Sequence, residues 1–221
     1  GHSSAASDVY KRQVQVLDAN GNPVAPGDIG ALVIKSPLPP GNFTTLWNAE
    51  DRFKQAYFTK FPGYYETGDA GYIDDNGYVY VMARTDDVIN VAGHRLSTGA
   101  MEEVLADHPD VAECAVIGVA DPMKGQLPVG LLVLNAGVKR DAADITREAI
   151  QHMRDRIGPV AAFKLCAVVD RLPKTRSGKI LRGTMRSIAD GEPLKMPATI
   201  VDPAILDEVT AALKQLGYPP E

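Results

Sequence analysis

Two kinds of pattern meet at residues 84–95, Arg84-Thr85-Asp86-Asp87-Val88-Ile89-Asn90-Val91-Ala92-Gly93-His94-Arg95. Ahead of this run, turn signals separate short alternating apolar stretches; behind it, helical stripes alternate with strands. Val88, Ile89 and Val91 are β-branched and favour an extended, half-buried ribbon, while Gly93 permits a close backbone approach or an unusual φ. Asp86 and Asp87 keep the entry solvated, as a boundary between separately folding units requires. The run reads as a junction between two architectures.

On the early side, Val14 and Val16 alternate with polar residues, Asn20-Gly21-Asn22-Pro23 turns, and residues 29–35 give a second apolar stretch. Phe53 and Tyr57, at i and i+4, place a short helix in 48–58, and 62–69 reads as a loop. Asn76-Gly77 between residues 72–74 and 78–84 is a tight hairpin signal, so everything up to Arg84 reads as antiparallel β. On the late side, helices are expected over 99–107, 142–157, 179–189 and 202–216. Strands are expected over 111–119, 129–134 and 163–169, with a polar loop over 121–128. The expected fold class is α+β: a β-rich piece over 13–85, then a small α+β domain over 86–221 that ends in a helix. Residues 1–12, small and polar without periodicity, read as an artefactual tail.

A chain of 221 residues, 45% hydrophobic and 23% charged, belongs with ordinary globular proteins. No apolar run approaches the roughly 20 residues of a membrane helix. Cys114 and Cys166 each lie in an apolar strand-like run without CxxC spacing, which predicts buried reduced thiols and a cytoplasmic setting. The net charge of −5 hides an asymmetry. Residues 164–186 hold seven cations against the single acid Asp170, a local +6 that leaves −11 for the rest. Such a segment suits an anionic ligand better than general coating of nucleic acid.

Pro173-Lys174-Thr175-Arg176-Ser177-Gly178-Lys179 is the sharpest local signal: cations, hydroxyls and a glycine between strand and helix make a mobile loop that can bring Lys179 to an anionic oxygen. The same seven residues also fit a solvated basic turn, and Pro173 stands where a P-loop needs glycine. Thr67-Gly68-Asp69 offers a carboxylate to a ribose diol, or serves as a turn acid. Arg84 and Arg95 are strand-end charges or phosphate and ribose contacts. His94 has no base, nucleophile or ligand partner nearby in sequence, which favours a structural or exposed role.

In order and spacing, Tyr65-Glu66-Thr67-Gly68-Asp69, then residues 84–95, then 173–179, resemble the late motifs of the AMP-forming acyl-CoA synthetases of the adenylate-forming superfamily. The wording of residues 87–99 and the Asp202-Pro203 tail helix look most like the short-chain branch, acetyl- and especially propionyl-CoA synthetases. The resemblance implies a ligase with ATP, CoA and a short-chain carboxylate as substrates, and Mg whose ligands are not in this chain. It implies Lys179 as the catalytic residue bridging carboxylate and α-phosphate oxygens, Asp69, Arg84, Thr67 and Arg95 as nucleotide contacts, and Asp86 as the hinge. Gly93 would lie beside the pantetheine path and Arg154 near the nucleotide end of CoA; no metal site is implied. Ala83 departs from the glycine common in relatives, at a position that packs the strand end. Relatives carry several hundred further residues, including a phosphate-gripping loop, so the implied partner is an N-terminal domain missing here, with neither nucleic acid nor membrane. The competing reading is a non-catalytic module that binds a nucleotide, CoA or nucleic acid through its basic segment.

Overall fold

The computed structural model describes residues 14–193 and 199–220. The tail assigned to 1–12 lies outside the described residues. The chain divides into two compact units, one ending at Thr85 and the other beginning at Asp86.

The first unit is an antiparallel sheet of β1 (Val14–Leu17), β2 (Gly30–Lys35), β3 (Tyr64–Ile73) and β4 (Val79–Arg84), in that spatial order, with helix α1 (Glu50–Tyr57) between β2 and β3 in sequence. Its core gathers Leu17, Ala31, Val33 and Phe61, and Phe53 on α1 sits edge-on to Phe43 with ring centroids 5.1 Å apart. The β3–β4 hairpin forms where Asn76-Gly77 predicts it. Asp74 Oδ1 accepts from the Asn76 and Tyr78 amides, and Gly77 takes φ +82°. Residues 64–69, expected as loop, instead continue β3 and pair with β2, Glu66 opposite Val33. Ladder pairing outweighs the low strand propensity of Glu66, Gly68 and Asp69. At the irregularity after Ala70, a Cβ on Gly71 would lie 2.0 Å from the Tyr80 carbonyl oxygen, so only glycine fits. β4 is exposed along Val79–Met82, with Val81 64% exposed.

The second unit opens with the hairpin β5 (Val88–Val91) and β6 (His94–Ser97), followed by α2 (Thr98–Ala106), β7 (Val111–Asp121), β8 (Gly125–Leu134), α3 (Ala142–Arg156), β9 (Leu165–Val168), α4 (Arg182–Ala189) and α5 (Ile205–Gln215). β8 organises it: β7 pairs antiparallel with one edge, while β5 at Gly125 and β9 at residues 129–132 share the other. Because alternate residues face opposite ways, Val116 and Leu132 join Met101, Leu105, Ile145 and Met153 on one face. Ile117, Val129 and Leu131 join Met185, Val209 and Leu213 on the other. The sheet is thus buried on both faces, by α2 and α3 and by α4 and α5. The polar loop expected over 121–128 contracts to residues 122–124, because β7 and β8 keep pairing down to Asp121 and Gly125. The tail helix starts at Ile205 rather than at Asp202, whose Oδ1 accepts from the Ala204 amide while Oδ2 pairs with Arg171.

One ionic cluster ties α3 to the loops beside it. His108 Nε2 lies 3.0 Å from Glu148 Oε2, and Arg140 bridges Glu148 and Asp110. Hydrogen bonds from Arg140, then from His108, hold the Glu148 carboxyl down at about 2 against an ordinary 4.5. A depressed carboxylate stabilises the fold above its unfolded value and loses that contribution as pH falls through its folded value. Between pH 4.5 and about 2, the melting temperature of Glu148→Gln should therefore fall less steeply than that of the parent, read by circular dichroism. Parallel curves would remove Glu148 from the acid response.

Candidate functional site

The β3–β4 register sets Asp69 opposite Arg84, and the Arg84 guanidinium donates to Asp69 Oδ1 at 2.9 Å and to the Thr67 carbonyl at 3.3 Å. Gly68 makes room for this: a Cβ there would lie 2.4 Å from an Arg84 nitrogen, and its φ is +77°. The Thr67 hydroxyl donates to the Leu32 carbonyl at 2.7 Å and accepts from the Asp69 amide, which fixes the carboxylate's stem. Thr67, Asp69 and Arg84 therefore form one preorganised group, with a cation beside the carboxylate and Oδ2 of Asp69 meeting no donor among the described residues.

Thr85–Asp87 form a single 3-10 turn where the two units divide, and Asp86 is exposed within it. In the second unit, Ala92 and Gly93 turn the β5–β6 hairpin with φ of +49° and +89°, the two left-handed residues a type I′ turn requires. Asn90 Oδ1 accepts from the Gly93 amide at 3.1 Å. No atom of the described residues lies within 4 Å of a Cβ built on Gly93. The Ala92 amide donates to the Lys124 carbonyl at 2.8 Å. Lys124 also lines, with Arg154 and Lys164, a recess of about 370 Å³ walled by Ile150, Ala162 and Phe163. Gly93 and Arg154 are thereby brought to one end of the sheet. Sequence reasoning missed Lys124 and Lys164, which carry no motif. Arg95 is half-buried on β6 opposite Asn90, and His94 is exposed.

Residues 173–181 form a hydrogen-bonded turn. The Thr175 amide donates to the Lys179 carbonyl at 2.9 Å, the Gly178 amide to the Thr175 carbonyl at 2.8 Å, and the Leu181 amide to the Pro173 carbonyl at 2.9 Å. Thr175 Oγ1 accepts from the Lys179 amide, and residues 199–201 pair along the outside through Thr175 and Ile200. The pairing of Lys174 with Ile180 delays helix α4 to Arg182, later than the expected 179. The basic segment is also less free than its +6 implies. Arg171 pairs with Asp202 and Glu208, Lys174 with Glu113 at 2.6 Å, and Arg182 with Glu102 at 2.6 Å. Lys179 remains exposed, with no ion partner among the described residues.

Lys174 meets Glu113 near the start of β7, and α4 then runs beside that strand until Asp190 Oδ1 accepts from the Ala120 amide near its end. The Lys179 turn and the Gly93 turn therefore occupy opposite ends of the same sheet. Cys114 and Cys166 are free thiols, and burial pushes them up to about 11 and about 12, so neither is a thiolate nucleophile at neutral pH. Among the described residues no group of three His, Cys, Asp or Glu stands in metal-binding arrangement. Nor is any described helix long and apolar enough to cross a membrane.

An exposed lysine on a strand-to-helix turn and a carboxylate–arginine pair on a hairpin define a class when set beside known proteins. Residues 100–179 match the AMP-binding enzyme C-terminal domain. Its relatives are more particular. The chain is 49% identical over 211 residues to the human mitochondrial acyl-CoA synthetase short-chain family member 3, covering 96% of this chain and 31% of that protein. An uncharacterised protein of Pseudomonas aeruginosa is 56% identical over 201 residues, covering 91% of this chain and 32% of that one. In fold, the chain is similar to the acetoacetyl-CoA synthetase of Streptomyces lividans, with a TM-score of 0.75 at 23% identity over 92% of this chain and 31% of that one. The chain spans about a third of the length of the curated relatives it matches.

Proposed function

We propose that this chain is part of an AMP-forming acid–CoA ligase acting on a short-chain carboxylate, with propionate preferred and acetate next. It would supply the last β-rich piece of a large nucleotide-binding domain, a hinge at Asp86, and a mobile domain from there on. The observation that carries the reading is Lys179: a cation on an ordered turn, solvent-facing and without an ion partner among the described residues, set in sequence between the paired cations Lys174 and Arg182.

In the first step a carboxylate oxygen attacks the α-phosphorus of ATP, the bond to the bridging oxygen breaks, and pyrophosphate leaves. Two anions must approach, and the Lys179 ammonium would neutralise the oxygens where their charges converge. Asp69 Oδ2 would accept from a ribose hydroxyl while Arg84 holds Oδ1. Arg95 would face the phosphate. In the second step the CoA sulfur attacks the acyl carbon, the bond to AMP breaks, and the thioester forms. The Gly93 turn would border the thiol's path, and Arg154 with Lys124 and Lys164 would meet the phosphates at CoA's nucleotide end. Because the Lys179 and Gly93 turns stand at opposite ends of one sheet, both cannot face one pocket together. A rotation at Asp86 would present them in turn.

The enzyme bearing this chain, given ATP, Mg and CoA, should form thioester with propionate at the highest kcat/KM. Butyrate should fall by about tenfold or more, since one added methylene is worth about 1–3 kcal/mol in a closed pocket. Turnover confined to long-chain or aromatic acids would refute the substrate class.

A further inference from the structure

Arg182 begins α4 three residues after Lys179. Its Nε donates to Glu102 Oε1 at 2.8 Å and its NH2 nitrogen to Oε2 at 2.6 Å, a two-pronged bridge to α2 between residues eighty apart in sequence. Glu102 Oε1 also accepts from the Val116 amide of β7 at 2.9 Å, so the carboxylate is itself fixed to the sheet backbone. The side chains of Arg182 and Glu102 are only 24% and 16% exposed. We infer that Glu102 and Arg182 are the positioning pair for Lys179, locking the first turn of α4 onto α2 and β7 and thereby setting where the lysine-bearing turn stands.

The physical argument has three parts. The planar fork of arginine matches both carboxylate oxygens at once, which fixes orientation as well as distance. A half-buried pair cannot lose one member cheaply, because the survivor is left charged and poorly solvated. Between the turn and this pair lie only Ile180 and Leu181, and the Leu181 amide is held by the Pro173 carbonyl, so displacement of Arg182 reaches Lys179 directly. The other shoulder of the turn is anchored differently. Lys174 meets Glu113 with both side chains more exposed, 32% and 46%, and a pair so solvated constrains less. Hydrogen bonds donated to Glu102, and more weakly the charges of Glu102 and Asp87, raise the Arg182 pKa. The same guanidinium therefore lies within electrostatic reach of the segment leaving Asp86.

The functional consequence rests on the role given to Lys179 above; the positional claim does not. Amide hydrogen exchange on this chain, read by NMR, separates them. Arg182→Gln and Glu102→Gln should each lower protection at Thr175, Gly178 and Lys179 by about tenfold while leaving Val129 and Leu131 of β8 unchanged. Arg182→Lys should fall between, since an ammonium replaces one prong of the fork, and Lys174→Gln should have the smallest effect. Unchanged turn amides in both Gln variants, or an equal loss in β8, would overturn the inference. In the complete enzyme the same two variants should lower the adenylation kcat with KM for ATP within about twofold, the pattern of a misplaced transition-state contact. A turn that opens while adenylation is untouched would leave the pair's positional role standing and remove Lys179 from the chemistry.

Discussion

Lys179→Ala in the complete enzyme is expected to slow acyl-adenylate formation by about a thousandfold, while thioester formation from preformed adenylate changes by less than about threefold. The size follows from the charge problem. Carboxylate and triphosphate repel, and a fixed ammonium in a water-poor site is worth about 3–4 kcal/mol to the transition state. The selectivity follows from the second step, in which a thiol meets an already activated acyl group and that cation has no converging charge to neutralise. The structure separates this from a folding defect. The turn is held by backbone bonds and by Thr175 Oγ1, which accepts from the Lys179 amide, a group alanine keeps. Lys179 is exposed and makes no ion pair among the described residues, so its truncation should alter stability by no more than about 0.5 kcal/mol. Pyrophosphate exchange reports the first step and thioester release from synthetic adenylate the second. Equal loss in both would place Lys179 at a general binding contact instead.

The α+β class and most elements were legible because periodicity and turn chemistry agree there. The Asn76-Gly77 hairpin even carries part of the candidate site, since its register brings Asp69 opposite Arg84. Failures fall where long-range pairing decides. Residues 64–69 look like loop by composition, yet β2 supplies a ladder partner that no local signal announces. The Ala92–Gly93 turn was missed because alanine seldom takes a left-handed φ, and Asn90, whose side chain accepts from the Gly93 amide, is the cue that was available. The basic run looked like an open cationic surface. Its acid partners Glu102, Glu113, Asp202 and Glu208 are too distant in sequence for composition to pair them. Lys124 and Lys164 stand beside Arg154 only because β8 and β9 start where α3 ends.

Gly93→Leu is expected to do the reverse of Lys179→Ala. Thioester formation from preformed adenylate should fall by about a hundredfold, the scale of an obstructed or displaced approach, while pyrophosphate exchange stays within about threefold. The fold supplies the reason to expect selectivity. With φ at +89°, a side chain at Gly93 costs about 1–2 kcal/mol of backbone strain, but a Cβ there meets no described atom within 4 Å. The turn therefore leaves open space at the base of a side chain here, and the Asn90 bond to the Gly93 amide uses a backbone group that leucine keeps. A melting temperature lowered only slightly, with the second half-reaction lost, would mean that what leucine obstructs comes from outside the turn, as a thiol delivered past it does. Gly93→Ala, with the same strain and far less bulk, divides the two causes. If alanine harms the thioester step as severely as leucine, backbone conformation rather than the path of the thiol sets the requirement for glycine.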